Sequence, residues 1–325
     1  MRIFALLALW LCWAGAAQAL SPDASWSPQL PKGWMLGEVS GVAVDRHDHV
    51  WLLHRPATAP GTLAPPVIAL DRAGHVLRAW GGKGAGYDWF DAEHSLTVDS
   101  ADHVWLTGNG PHDGQVLEFD ADGRFLRQIG HPGASKAASN DTTRLGRPAG
   151  IAVDRDEGEV YVADGYANRR VIVFDIASGA YKRHWGAYGA RPDDASAARR
   201  QFSHPVHCVH LSRDGLVYVC DRQNNRVQIF RRDGRFVAEW IIAPGTKPPG
   251  SAWDLALSPG EAEPMVLVAD GGNGRLRVLR RADGREGAVI GRPGQFRWLH
   301  AVAIDSRGFV YTGEVTAHRL QRWLP

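Results

Sequence analysis

One pattern recurs six times along the chain and limits the fold more than any other feature. Six segments begin with an alternating apolar strand that usually ends in Asp: SGVAVD (40–45), HSLTVD (94–99), AGIAVD (149–154), HCVHLS (207–212), WDLALS (253–258) and HAVAID (300–305). A turn rich in Asp and Gly follows, then a second strand such as HVWLLHR, EVYVADG or LVYVCDR. Several copies add a third strand after an Asn-x-Arg type of signal (NRRVIVFD, NNRVQIFR, NGRLRVLR) and a fourth after Asp-Gly-Arg. Period-two alternation broken by Gly, Asp and Asn reads as antiparallel hairpins. No segment shows comparable helical periodicity. Six four-stranded units, roughly 40–55 residues apart, predict an all-β, six-bladed β-propeller. The last unit ends after three strands at HRLQRWLP. Its outer strand must come from elsewhere, and the segment around 25–38 is expected to supply it, closing the ring without a free edge. The stretches 131–146 and 187–202 read as polar surface loops between blades.

Composition narrows the function classes. The 325 residues carry 37 basic against 35 acidic side chains, which leaves no basic field for nucleic acid. Thirteen Trp and 37 Gly suit many short strands joined by tight turns. Residues 1–19, MRIFALLALWLCWAGAAQA, have Arg2, an apolar core and a closing Ala-Gln-Ala, the pattern of a cleaved secretory signal. No later run is long and apolar enough to span a bilayer. The expected product is a single propeller domain, 20–325, soluble and exported, in a bacterial setting to the periplasm. Cys208 and Cys220 then remain, on neighbouring strands of one hairpin. A tight turn at 213–214 would set residue 208 opposite 219 and put Cys220 on the other side of the sheet. Two buried thiols are therefore expected.

The first position of each repeat is Ser40, His94, Ala149, His207, Trp253 and His300. Histidine falls in every second blade. Alternate blades of a six-bladed ring lie about 120° apart, and the first strand is innermost, so three imidazoles can converge on the axis. Three histidines with a position left open for water or substrate form the arrangement typical of catalytic zinc. Imidazoles alone, without thiolate or carboxylate, favour zinc over copper or iron. His210, three residues beyond His207, is expected on the opposite face of the strand; His204 precedes Pro205, outside it. Just past the second strand stand Arg55 in blade one and Arg222 in blade four, with Tyr166 in blade three. Two guanidiniums beside a metal suit a substrate carboxylate, and a tyrosine near both is a usable base. Either arginine alone would serve as well in a salt bridge between blades.

The segment RPAGIAVDRDEGEVYVADGYANRRVIVFD (147–175) resembles the NHL repeat. Within that group the chain is similar to peptidyl-α-hydroxyglycine α-amidating lyase over nearly all of 20–325. VSGVAVDRHDHVWLLHR (39–55) looks like that family's first blade, ending in an active-site arginine, here Arg55. EHSLTVD, VHCVHLS and LHAVAID stand where the family has its zinc histidines, which implies zinc on His94, His207 and His300. ADGYANRRVIVF resembles the segment with the catalytic tyrosine, here Tyr166, and CDRQNNRVQIF the segment with the second arginine, here Arg222. The implied reaction splits a C-terminal α-hydroxyglycine into an amide and glyoxylate. Zinc would act as Lewis acid, Tyr166 as base, and the arginines would hold the carboxylate. The chain departs from the family at Ala301, where the family has an Asp that helps hold structural calcium; backbone carbonyls alone would hold a weaker ion. Ala167 stands where a disulfide cysteine is expected, and the copper monooxygenase domain often fused to animal members has no counterpart in these residues.

Other functions share this fold. A non-catalytic NHL propeller would be a platform for protein or ligand, with no metal. A propeller lactonase or esterase would hold calcium through Asp, Glu and Asn in the channel, and the axial histidines argue against it. A zinc lyase acting on a small carbinolamide other than a peptide keeps the chemistry and changes the substrate.

Overall fold

The computed structural model describes residues 20–133, 138–196 and 200–325; the expected export signal lies outside them. Six four-stranded antiparallel sheets form the ring, five of them in simple sequential order. Their innermost strands are Glu38–Val44, Glu93–Val98, Gly150–Asp154, Val206–Leu211, Asp254–Leu257 and Leu299–Ile304. The chain is thus a six-bladed β-propeller. No helix among the described residues is long and apolar enough to cross a membrane.

The recurrent Asp has a structural task. Asp45 accepts hydrogen bonds from the backbone N–H of His47 and His49 and from the Trp51 indole (2.8, 2.9 and 2.9 Å). Asp99 does the same for Ala101, His103 and Trp105. One carboxylate therefore closes the turn and satisfies a buried indole that would otherwise lose its hydrogen bond to water. A second buried acid ends the second strand: Asp164 binds Asn168 and Arg170, and Asp221 binds Asn224 and Arg226. This explains the Asn-x-Arg signal, which fixes the chain as it turns into the third strand.

The core lies between blades. Tyr161, Val173 and Trp185 of blade three pack on Val217, Val219 and Phe230 of blade four, and the other blade pairs repeat the scheme. The two insertions do more than cover the surface. Arg170, fully buried, donates to the carbonyls of Ser139, Asp141 and Arg144, and Asn140 donates to Pro192 O at 2.8 Å.

Two expectations are corrected. The last blade is closed by Ser21–Pro22, paired with Trp323 and Leu324, not by 25–38. Asp23 secures this seam through Arg322 at 2.7 Å, while Trp26 packs edge-on against Tyr311. Cys208 and Cys220 form a disulfide rather than two thiols. The hairpin loop holds three residues, 213–215, not two: Ser212 N–H donates to Leu216 O, and Gly215 takes φ 80°. That extra left-handed residue moves the register by one and sets Cys208 directly opposite Cys220. Replacing both cysteines by alanine should lower unfolding stability by about 2–4 kcal/mol in urea titrations. Peptide mapping without reductant should recover the two cysteines in one linked fragment.

Candidate metal centre

The three axial histidines meet. Their ring centroids stand 4.8 to 4.9 Å apart, and one nitrogen from each lies within 4.8 Å of the others. Each sits at a β-bulge: the register shifts between Glu93 and Ser95, between Val206 and Cys208, and between Leu299 and Ala301. A bulge leaves its extra residue outside the ladder and re-aims the side chain. Here it turns the imidazole toward the axis.

Each ring is then fixed by the next blade. His94 Nδ1 bonds Ala149 O (2.8 Å), His207 Nδ1 bonds Trp253 O (2.5 Å) and His300 Nδ1 bonds Ser40 O (2.7 Å). These carbonyls belong to the first repeat position of the three blades that lack histidine. A carbonyl accepts only, so Nδ1 carries the proton and Nε2 presents its lone pair. His207 Nε2 is buried without a hydrogen-bond partner among the described residues, a cost that a cation on the axis would remove. Burial, with the positive charges of neighbouring groups second, holds all three far below the ordinary imidazole range. His94 and His207 lie well below it, and His300 is pushed down to about 3. The donors are neutral at pH 7, as zinc requires, so residues and metal fit.

Two other groups of possible ligands among the described residues are already engaged. Cys208 is in the disulfide while His210 pairs with Asp254 at 2.7 Å. Arg155 fills the cluster of Asp99, His103 and Glu118. His210 reaches blade five, as His207 does, so it does not point to the opposite face; the bulge at His207 breaks the strict alternation. His204 lies outside the strand, accepts from Arg169 Nε (2.9 Å) and bonds Gly165 O (3.2 Å).

Tyr166 and Arg222 adjoin the triad. The Tyr166 hydroxyl donates to His94 Nε2 at 3.0 Å and accepts from Arg222 Nη1 at 3.4 Å. Gly165 makes this approach possible: a Cβ there would lie 2.0 Å from Val206 O. Backbone bonds from Tyr166 to Arg147 and from Ala167 to Gly146 hold the turn. Arg222 is 8% exposed and has no carboxylate partner among the described residues. Its guanidinium lies 4.4 Å from the Trp253 ring centroid, and burial lowers its pKa. Arg55 differs. It pairs with Glu38 at 2.7 Å and reaches Glu93 O and Asn109 across the blade boundary. Sequence reasoning missed Trp253, although it occupies a first repeat position, and Arg147, whose guanidinium stands 5.5 Å from the Tyr166 ring.

The fold and this centre define a six-bladed propeller with a three-histidine axial site. Residues 145–174 match the family model of the NHL repeat. The chain is 25% identical over 321 residues to peptidyl-glycine alpha-amidating monooxygenase B of Xenopus laevis, covering 89% of this chain and 34% of that protein. It thus spans about a third of that relative. It is 29% identical over 213 residues to the probable peptidyl-alpha-hydroxyglycine alpha-amidating lyase pgal-1 of Caenorhabditis elegans, covering 60% and 56%. It is also 26% identical over 370 residues to NHL repeat-containing protein 3 of Mus musculus, covering 97% and 96%. Among solved structures, streptogramin B lyase matches with a TM-score of 0.58 at 13% identity, covering 95% and 99%, a likeness of fold.

The lowered imidazole pKa values give a pH prediction for the metal-free protein. Between about 3 and 6.5 the unfolded chain binds protons that the folded His300 refuses, so stability falls as pH falls through that window. His300→Gln should remove about 1.4 kcal/mol per pH unit from the slope of unfolding free energy between pH 4 and 6. Urea titrations at several pH values measure that slope.

Proposed function

We propose that this protein is a zinc-dependent carbon–nitrogen lyase that cleaves N-acyl or peptidyl α-hydroxyglycines to an amide and glyoxylate. The observation that carries the reading is the axial triad itself, three neutral imidazoles with tethered Nδ1 atoms beside Tyr166 and a buried arginine lacking a carboxylate partner among the described residues. The distant relatives named as amidating lyases support it. His94, His207 and His300 would hold the metal, which when bound supplies a Lewis acid for the substrate hydroxyl.

The remaining roles fall to this chain's own side chains. Arg222, buried and without an anionic partner among the described residues, binds the substrate carboxylate. Arg55 lines the same rim and adds positive charge, with its position set by Glu38 and Asn109. Arg222 donates to the Tyr166 oxygen and, with His94, fixes the hydroxyl beside the triad. As phenolate, Tyr166 takes the hydroxyl proton. The freed electron pair forms the C=O of glyoxylate, the C–N bond breaks, and its electrons pass to the amide nitrogen. Tyr166 then returns the proton to that nitrogen, so the step balances without oxidant or water. The Cys208–Cys220 disulfide supports export to an oxidising compartment such as a bacterial periplasm.

A relative that matches nearly the whole chain, NHL repeat-containing protein 3 of Mus musculus, bears a name stating no activity, which keeps a ligand-binding platform as the second reading. Elemental analysis separates the two. The lyase reading expects about one zinc per chain, lost in His207→Ala, and glyoxylate release from α-hydroxyglycine compounds. Protein that takes up no zinc even when it is supplied would be a platform. Tyr166→Phe should lower kcat by roughly 100-fold or more while leaving zinc content unchanged; wild-type turnover in that variant would remove the tyrosine as base.

A further inference from the structure

The rim of the channel is chemically polarised, and one side carries an unusual tryptophan. Trp298 stands two residues before His300 and is 46% exposed. Its backbone is left-handed, φ 63°, a region that disfavours a bulky side chain. The neighbouring bonds hold it there: Arg297 N–H donates to the Glu314 carboxylate at 2.6 Å, and Trp298 O accepts from Val315 N–H at 3.1 Å. An aromatic ring held in an unfavourable conformation and left half in water contributes little to the core. Strained residues fixed by their surroundings gather at ligand sites.

What the ring faces indicates its use. Trp298 packs edge-on against Trp253, centroids 5.3 Å apart at 83°. Trp253 in turn touches His207 and His300 and carries the Arg222 guanidinium over its face. Outward from the axis the order is therefore imidazole, Trp253 with its cation, then exposed Trp298. A ligand with its carboxylate on Arg222 has an aromatic surface within a small molecule's length. The same repeat position in the opposite blade, also left-handed at φ 60°, is Arg147, so the far side of the rim offers charge where this side offers a flat apolar wall.

We propose that Trp298 forms the wall of a subsite that selects a flat, aromatic N-acyl group on the substrate. The proposal rests on the lyase reading of the centre for the rest of the substrate. Stacking and edge contacts between aromatic rings, together with the apolar area buried, favour such a group over a small aliphatic one.

The test compares N-benzoylglycine with N-acetylglycine by calorimetric titration into wild type, Trp298→Ala and Trp298→Phe, each of the full protein. The expected result is at least a 10-fold preference for the benzoyl compound in wild type. That preference should shrink to about 2-fold in Trp298→Ala and largely return in Trp298→Phe. Equal affinities in wild type, binding of neither compound, or an undiminished preference in Trp298→Ala would overturn the proposal. Turnover of the matching α-hydroxy compounds separates the two ideas. A benzoyl preference in binding with no glyoxylate from either compound would remove the lyase and keep the subsite. Glyoxylate from both with equal kcat/KM would keep the lyase and remove the subsite.

Discussion

The centre depends on one hydrogen bond made three times, from an imidazole Nδ1 to the backbone carbonyl of the next blade. Each bond fixes a tautomer, a ring orientation and a contact between neighbouring inner strands. The arrangement uses all six blades although only three contribute histidines. Blades one, three and five supply the carbonyls of Ser40, Ala149 and Trp253, and any side chain can occupy those positions because the backbone makes the bond. That accounts for the unlike residues found there.

Burial of this centre is costly, and the ways its groups are accommodated differ. The histidines remain neutral, since burial and adjacent positive charge both oppose protonation. Arg222 cannot shed its charge at physiological pH. It lies on the π face of Trp253 and donates to Tyr166, which softens its desolvation without neutralising it. Arg55, more open, is matched by Glu38. The two arginines that look equivalent in the repeat are therefore unequal: Arg55 arrives already paired, whereas Arg222 keeps its demand for an anion.

Much of this was legible in the sequence, because a propeller writes its geometry as a period. The repeat carried the blade count, the alternation carried the triad, and Tyr166 and Arg222 fell where their blades approach the axis. Two of the failures share a physical cause, since each turns on a single inserted residue. Gly215 lengthens one hairpin loop and brings Cys208 opposite Cys220. The bulge at His207 sends His210 toward Asp254. Strict alternation contains no term for either. The closing strand was misplaced because only Ser21 and Pro22 pair, too short a run to show periodicity. Trp298 and Arg147 precede the alternating segments and belong to no strand pattern.

The same bulges explain how a repeat scaffold can carry a centre without losing its regularity. A regular inner strand directs alternate side chains toward its two neighbouring blades, where Leu96, Val209 and Val302 pack in the interblade core. Turning a side chain to the axis requires one residue to leave that alternation. At His94, His207 and His300 the ladder resumes one residue later, so the interblade packing beyond each bulge is kept. Ser40 lies at a similar register shift, between Val39 and Gly41, yet contributes its carbonyl to His300 rather than a ligand. The bulge therefore gives a position access to the channel, and the residue that occupies it decides whether that position binds a cation or orients a neighbour that does.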